Sequence, residues 1–137
     1  MARTTVALPI LCALVACSEP GQVTRPLKLQ ASTTCDEDFA RLQTMEAEIL
    51  ALIGDPLCSA GSECAAVPFG SKPCGGAWRY LVYSTGTVDE AALRQKVDEY
   101  NALNAVLNKR CGVLSDCMLV VAPQVGCVAD KCVALMG

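Results

Sequence analysis

Residues 58–74 read CSAGSECAAVPFGSKPC and residues 111–127 read CGVLSDCMLVVAPQVGC, so that three cysteines separated by five and nine residues occur twice. The offset is 53 with no gap, and the match runs backwards. Thr34-x-Asp36-Glu37 aligns with Thr87-x-Asp89-Glu90, followed by Arg41/Arg94, Glu46/Glu99, Leu50/Leu103, Ser62/Ser115 and Val67/Val120. Eleven of the 41 positions from 34 to 74 are identical across this offset, where ordinary residue frequencies give about two or three. An internal repeat of this kind implies one supersecondary unit used twice.

Each Thr-x-Asp-Glu is a capping-box signature, in which the threonine oxygen accepts from the glutamate amide and the glutamate carboxylate reaches back to the threonine amide. Acids in a first turn also suit the positive end of a helix dipole. The first helix is expected from about Cys35 to Ile53, with Phe39, Leu42, Met45, Ile49 and Ile53 on one face, stopping at Gly54-Asp55-Pro56. The second is expected from about Val88 to Arg110, with Leu93, Val97, Tyr100, Leu103 and Leu107 inward, stopping at Cys111-Gly112.

Between and after the helices the period falls to two. Cys64 to Pro68 and Ala77 to Ser84 read as strands, the second with Trp78, Tyr80 and Val82 on one face and Arg79, Leu81 and Tyr83 on the other. Met118 to Ala122, Val125 to Val128 and Lys131 to Leu135 suggest further strands, the last two closed by a turn at Ala129-Asp130. The expected fold is α+β: two similar αββ units build one antiparallel sheet covered on one face by two helices and stapled by disulfides.

Composition narrows the chemistry. The chain has 137 residues, ten cysteines, no histidine and a net charge of -3. Its scattered basic residues leave no footprint for nucleic acid. The lack of histidine removes the commonest general base and metal ligand. Zinc knuckles favour Cys-x2-4-Cys spacing, while the repeated spacings are five and nine, and Cys127-x4-Cys132 meets that limit only loosely. Redox exchange wants Cys-x-x-Cys at a helix start, which is missing from the sequence. Neither a metal nor a cofactor is expected. Carboxylates at Asp36, Glu37 and Asp38 are better explained as a helix-start cluster, and Ser71-Lys72 lacks any motif that holds a nucleophile and base in register, so no catalytic residue is expected.

The N-terminus is read apart from the fold. One positive charge at Arg3 precedes an apolar run from Val6 to Val15, too short for a permanent span. The run ends in Leu14-Val15-Ala16-Cys17, which resembles the lipobox of bacterial lipoprotein precursors. The resemblance implies cleavage of residues 1–16, acylation of Cys17, attachment to the lipid membrane and a cell-envelope location, in the outer membrane if the host is Gram-negative, since Ser18 follows the cysteine. Residues 17–34 then form a lipidated terminus and tether, followed by a single disulfide-rich domain at 35–137.

Cysteine parity agrees with that division. Removing Cys12 with the signal and Cys17 to lipid leaves Cys35, Cys58, Cys64, Cys74, Cys111, Cys117, Cys127 and Cys132, an even set for an oxidising compartment. Eight cysteines allow 105 pairings. The repeat suggests that equivalent cysteines pair equivalently, leaving Cys35 and Cys132, which lie outside the repeated triplets, to find each other or to break the symmetry. The mature part also resembles small, uncharacterised cysteine-rich bacterial envelope proteins, a resemblance that implies no activity.

The segment inviting a functional reading is Pro68 to Ser84, PFGSKPCGGAWRYLVYS. A rigid disulfide-held loop beside amphipathic aromatics suits recognition, with Ser71, Lys72, Trp78, Arg79, Tyr80 and Tyr83 as candidate binding residues. The competing reading makes Gly75-Gly76 a turn and Trp78 a core residue. The expected function is a non-catalytic, membrane-anchored interaction module for an envelope protein or extracellular ligand. A hydrolase inhibitor or a structural envelope component is the alternative; Pro73 after Lys72 makes a poor bond for a trypsin-like protease.

Overall fold

The computed structural model describes residues 34–135. The expected signal, the expected lipidation site at Cys17 and the expected tether up to residue 33 lie outside the described residues. The elements run α1 (Cys35–Ile53), a 3-10 turn (Gly61–Glu63), β1 (Cys64–Phe69), β2 (Arg79–Ser84), α2 (Glu90–Arg110), β3 (Gln124–Val128) and β4 (Lys131–Leu135). The fold is α+β with four disulfides.

Helix α1 starts as its sequence requires. Thr34 accepts from the Glu37 amide at 3.4 Å, and the Glu37 carboxylate accepts from the Thr34 amide at 3.1 Å. It stops at Gly54, whose φ of 55° lets its amide reach the Leu50 carbonyl at 2.9 Å. Helix α2 departs from the repeat. Thr87 is not its cap, because the Thr87 hydroxyl and amide both donate to the Ser84 carbonyl in the turn leaving β2. The cap is Asp89, which accepts from the Ala92 amide at 3.1 Å. Glu90, freed from a capping box, accepts instead from the Tyr83 hydroxyl at 3.0 Å and the Arg94 Nε at 2.9 Å.

The helices lie antiparallel, with Arg110 paired to Asp38 at one end and Lys96 to Glu48 at 3.2 Å further along. Their apolar faces close on ribbon β1–β2, where Val67 faces Leu81 and Ala65 faces Tyr83 across the antiparallel register. The core comprises Leu42, Ile49, Ile53, Val67, Phe69, Leu81, Tyr83, Val88, Leu93, Val97, Tyr100 and Leu107, with Phe39, Met45 and Leu103 packed against it. Each large side chain here contributes about 1.5–3 kcal/mol by leaving water. Phe69 and Tyr100 stack with ring centroids 4.2 Å apart.

A single sheet does not form. Strands β1–β2 make one two-stranded ribbon and β3–β4 another, with no ladder between them. Residues 117–122, the counterpart of β1 at the repeat offset, carry no strand. Cys117 holds a left-handed φ of 54° that breaks the extended run at its first residue, and Lys72 takes the next carbonyl, that of Met118, at 2.8 Å. The second ribbon is therefore only the hairpin from Gln124, turning through Ala129 and Asp130 at φ 51° and 61°. Disulfides stand in for the missing ladder: Cys58–Cys127 and Cys64–Cys132 tie this hairpin to the start of β1 and the loop before it.

The pairing is not the symmetric one. Cys35 bonds Cys111 with Cα atoms 6.0 Å apart, not Cys132, because antiparallel helices put the start of α1 beside the end of α2. Cys132 bonds Cys64, and Cys74 bonds Cys117. Repeat-equivalent Cys58 and Cys111 thus have unrelated partners. No described helix is long and apolar enough to cross a membrane.

Candidate functional site: two loops strapped at the end of helix α2

The nine residues between β1 and β2, 70–78, and the segment 112–123 after α2 meet at the C-terminal end of α2. Three asparagines on the inward face of that helix hold the first loop. Asn101 Oδ1 accepts from the Gly70 amide at 2.6 Å and Asn104 Oδ1 from the Ser71 amide at 2.8 Å. Asn108 Nδ2 donates to the Ser71 carbonyl, and Asn101 Nδ2 to that of Pro68 at 3.1 Å. Asn104 and Asn108 are buried, so these bonds satisfy groups that would otherwise be costly. Glycine is required at position 70, where φ is 76° and a Cβ would stand 2.6 Å from Trp78 Cδ1.

Lys72 joins the two loops. Its side chain is 5% exposed, and its ammonium donates to Asp116 Oδ1 and the Met118 carbonyl, each at 2.8 Å. The same ammonium stands 5.3 Å from the centre of the Trp78 ring, a cation–π distance. Asp116 also accepts from the Met118 amide at 3.1 Å. The Asp116 carboxyl is held below its ordinary range, first by the Lys72 hydrogen bond and then by that amide. The Cys74–Cys117 disulfide is a second strap over the same junction.

Among the sequence-derived candidates, the structure brings Ser71, Lys72 and Trp78 together but does not present them alike. Lys72 is a buried clamp, not a displayed charge. Trp78 is 36% exposed and lies against Gly70, so it is not a core residue. Arg79 lies over the Phe69 ring at 5.0 Å and pairs with Glu46. Tyr80 is half-buried on the other face of β2. Tyr83 is fully buried in the core, its hydroxyl raised in pKa first by burial and then by its bond to Glu90. Glu90 shifts the opposite way, held down first by Arg94 and then by Tyr83. Asp38 is buried against Arg110, while Asp36 and Glu37 are exposed at the start of α1.

What the two straps display is a surface absent from the sequence reading. Leu114, Met118, Leu119 and Val121 are 89%, 69%, 79% and 74% exposed. Large apolar groups held outward together mark a contact surface more than isolated ones do. Beneath Leu114 a groove of about 450 Å³ runs along Ser71, Lys72, Ala105, Asn108 and Lys109. A run such as MLVVA reads as a core strand in sequence. The only sequence signals against that reading are Pro123 at its end and the asparagines on the inner face of α2.

The sulfurs of Cys58, Cys64 and Cys132 lie within 4.8 Å of one another, buried beside the second ribbon. All three are committed to disulfides, so they offer no thiolate to a metal. Comparison with protein-family models, with curated proteins and with solved structures found no match to this chain. The reading of the site therefore rests on its geometry.

Proposed function

We propose that the chain is a bacterial lipoprotein, acylated at Cys17 and held at the cell envelope by residues 17–34, whose folded part is a non-catalytic interaction module. The observation that carries the reading is the loop 112–123, four aliphatic side chains held outward by the Lys72 clamp and the Cys74–Cys117 bond. A surface fixed before contact loses little entropy on binding, which is how a small module gains affinity. The pairing of all eight cysteines from Cys35 to Cys132 supports the lipidation reading, since Cys17 is then the one left for acylation once Cys12 departs with the signal. The repeat fits a duplicated unit whose second copy exchanged its first strand for this loop, because 117–122 is the counterpart of β1. Burial of Lys72 weighs against an inhibitor that presents a lysine to a protease.

The test is the intact mass of the protein extracted from host membranes, with and without reduction and alkylation. The expected mass begins at Cys17 plus acyl chains, with eight alkylated thiols appearing only after reduction. An unlipidated chain or free thiols before reduction would overturn the anchoring. For the module itself, Leu119→Asp should abolish capture of envelope material while leaving the fold and the acylation intact. Unchanged capture would remove the loop from the function.

A further inference from the structure

We infer that the strapped loop 112–123 is an interfacial lipid-contact element, laid against the same membrane that holds the acyl chains. The inference rests on the proposed acylation of Cys17. Its structural basis is where the tether enters the fold. Cys35, the first residue after the tether, is joined to Cys111, and Gly112 opens the apolar loop. The chain between Cys17 and Cys35 spans at most about 60 Å when extended, so the membrane surface lies within reach of the end of the molecule that carries the loop. The β3–β4 hairpin tip lies elsewhere: Lys131 bonds Asp55 at 3.0 Å, just past the far end of α1. A helix of 19 residues separates those ends by roughly 28 Å.

The side chains fit lipid better than protein. Between Cys111 and Gln124 the only ionisable residue is Asp116, already neutralised by Lys72 at 2.8 Å. Leu114, Met118, Leu119 and Val121 are aliphatic, and the loop has none of the Trp, Tyr or Arg anchors that concentrate binding energy at protein interfaces. Half-exposed Trp78 stands beside the clamp, where an indole suits the headgroup level. The surrounding charges are mixed: Lys109 is exposed, Arg110 pairs with Asp38, and Asp36 and Glu37 are exposed at the start of α1. Apolar insertion, not attraction to anionic lipid, is therefore the driving force, and it is insensitive to salt. Insertion stays shallow, because irregular backbone is not tolerated in the hydrocarbon core.

The test uses the acylated full chain in phosphatidylcholine vesicles. Trp78, the sole tryptophan, is replaced by Phe, and a reporter is placed by Leu119→Trp or Met118→Trp in the loop or by Val128→Trp at the hairpin, all exposed positions. Lipids brominated near the headgroup should quench and blue-shift both loop reporters, unchanged by high salt, and leave the Val128 reporter unaffected. Equal quenching at loop and hairpin, or loop reporters emitting as in water on chains whose mass shows acylation, would overturn the inference while the anchoring stands. In the latter case the loop's partner would be a protein. A chain without acyl groups would instead overturn the anchoring on which it rests.

Discussion

The ammonium of Lys72 stands 2.8 Å from the carbonyl oxygen of Met118, 46 residues away in sequence, and 2.8 Å from Asp116. One buried cation thereby fixes the path of a loop that has no regular structure of its own. A hydrogen bond from a charged group is worth about 1.5–3 kcal/mol. Lys72→Met keeps the stem and removes that donor. The expected result is a loss of about that size in unfolding free energy and rapid proteolysis between residues 112 and 123. Asp116→Asn should cost less, since the lysine keeps the Met118 carbonyl. If both variants resist protease like the parent, the clamp does not hold the loop.

The pH dependence follows from the same contact. Asp116 and Glu90 both have folded-state carboxyls held below their ordinary range, by Lys72 and by Arg94 respectively. A depressed folded value means stability that is fully present above the unfolded values, about 3.9 and 4.3, and is lost as pH falls through the lower folded ones. Loop protection should thus be flat from pH 7 to pH 5 and fall only in stronger acid. Urea midpoints measured down that range should show the acid limb flattened by Asp116→Asn.

Much of this is legible in the sequence. Periodicity located both helices and their inward faces, and Ala129-Asp130 marked the second hairpin because just two residues separate the short runs 125–128 and 131–135. The misreadings share one cause. Thr87 and residues 117–122 carry the local signals of their repeat counterparts, but long-range partners overrode them: Ser84 claims the Thr87 hydroxyl, and Cys74 with Lys72 bends the chain at Cys117 and Met118. The candidate site was half visible for the same reason. The loop from Ser71 to Trp78 was legible from its glycines and aromatics, whereas its role as a clamp depends on Asn104, Asn108 and Asp116, which lie 33 or more residues on.

The turn of the second hairpin offers a gain. Ala129 and Asp130 both sit at positive φ between paired Val128 and Lys131. Alanine there is strained in a way asparagine and glycine are not. Ala129→Asn with Asp130→Gly should stabilise the protein by about 1 kcal/mol. A thermal scan checks it, and a lower midpoint would show that the Asp130 side chain has a role beyond the turn.

Tyr83 links the core to the start of α2. Tyr83→Phe removes the hydroxyl that donates to Glu90 and accepts from Arg94 at 3.4 Å, costing about 1 kcal/mol, because Glu90 and Arg94 keep each other. Leu93→Ala, at a fully buried position, should cost about 2–5 kcal/mol. The raised pKa of Tyr83, and of Tyr100 through burial, means that their neutral forms are favoured by folding. Their contribution is fully present below the unfolded value, about 10, and lost as pH rises through the higher folded ones. An ultraviolet titration should show late tyrosine ionisation, with part of that late step missing in Tyr83→Phe.

The disulfides divide into two kinds, and replacing them separately tells the kinds apart. Cys35–Cys111 closes a separation of 76 residues between the ends of two helices already packed together. Loop-closure entropy assigns such a bond roughly 4 kcal/mol, so changing both cysteines to serine should lower the unfolding midpoint strongly while leaving the loop 112–123 protected, since its own straps remain. Cys74–Cys117 lies at the edge, where both residues are exposed. Replacing it should lower global stability less but raise amide exchange and proteolysis selectively across 112–123. Non-reducing peptide maps of the parent should contain the four cross-links Cys35–Cys111, Cys58–Cys127, Cys64–Cys132 and Cys74–Cys117. If the edge replacement left loop exchange unchanged, Lys72 alone would be the strap, and the loop would keep its display under reducing conditions that open exposed disulfides first.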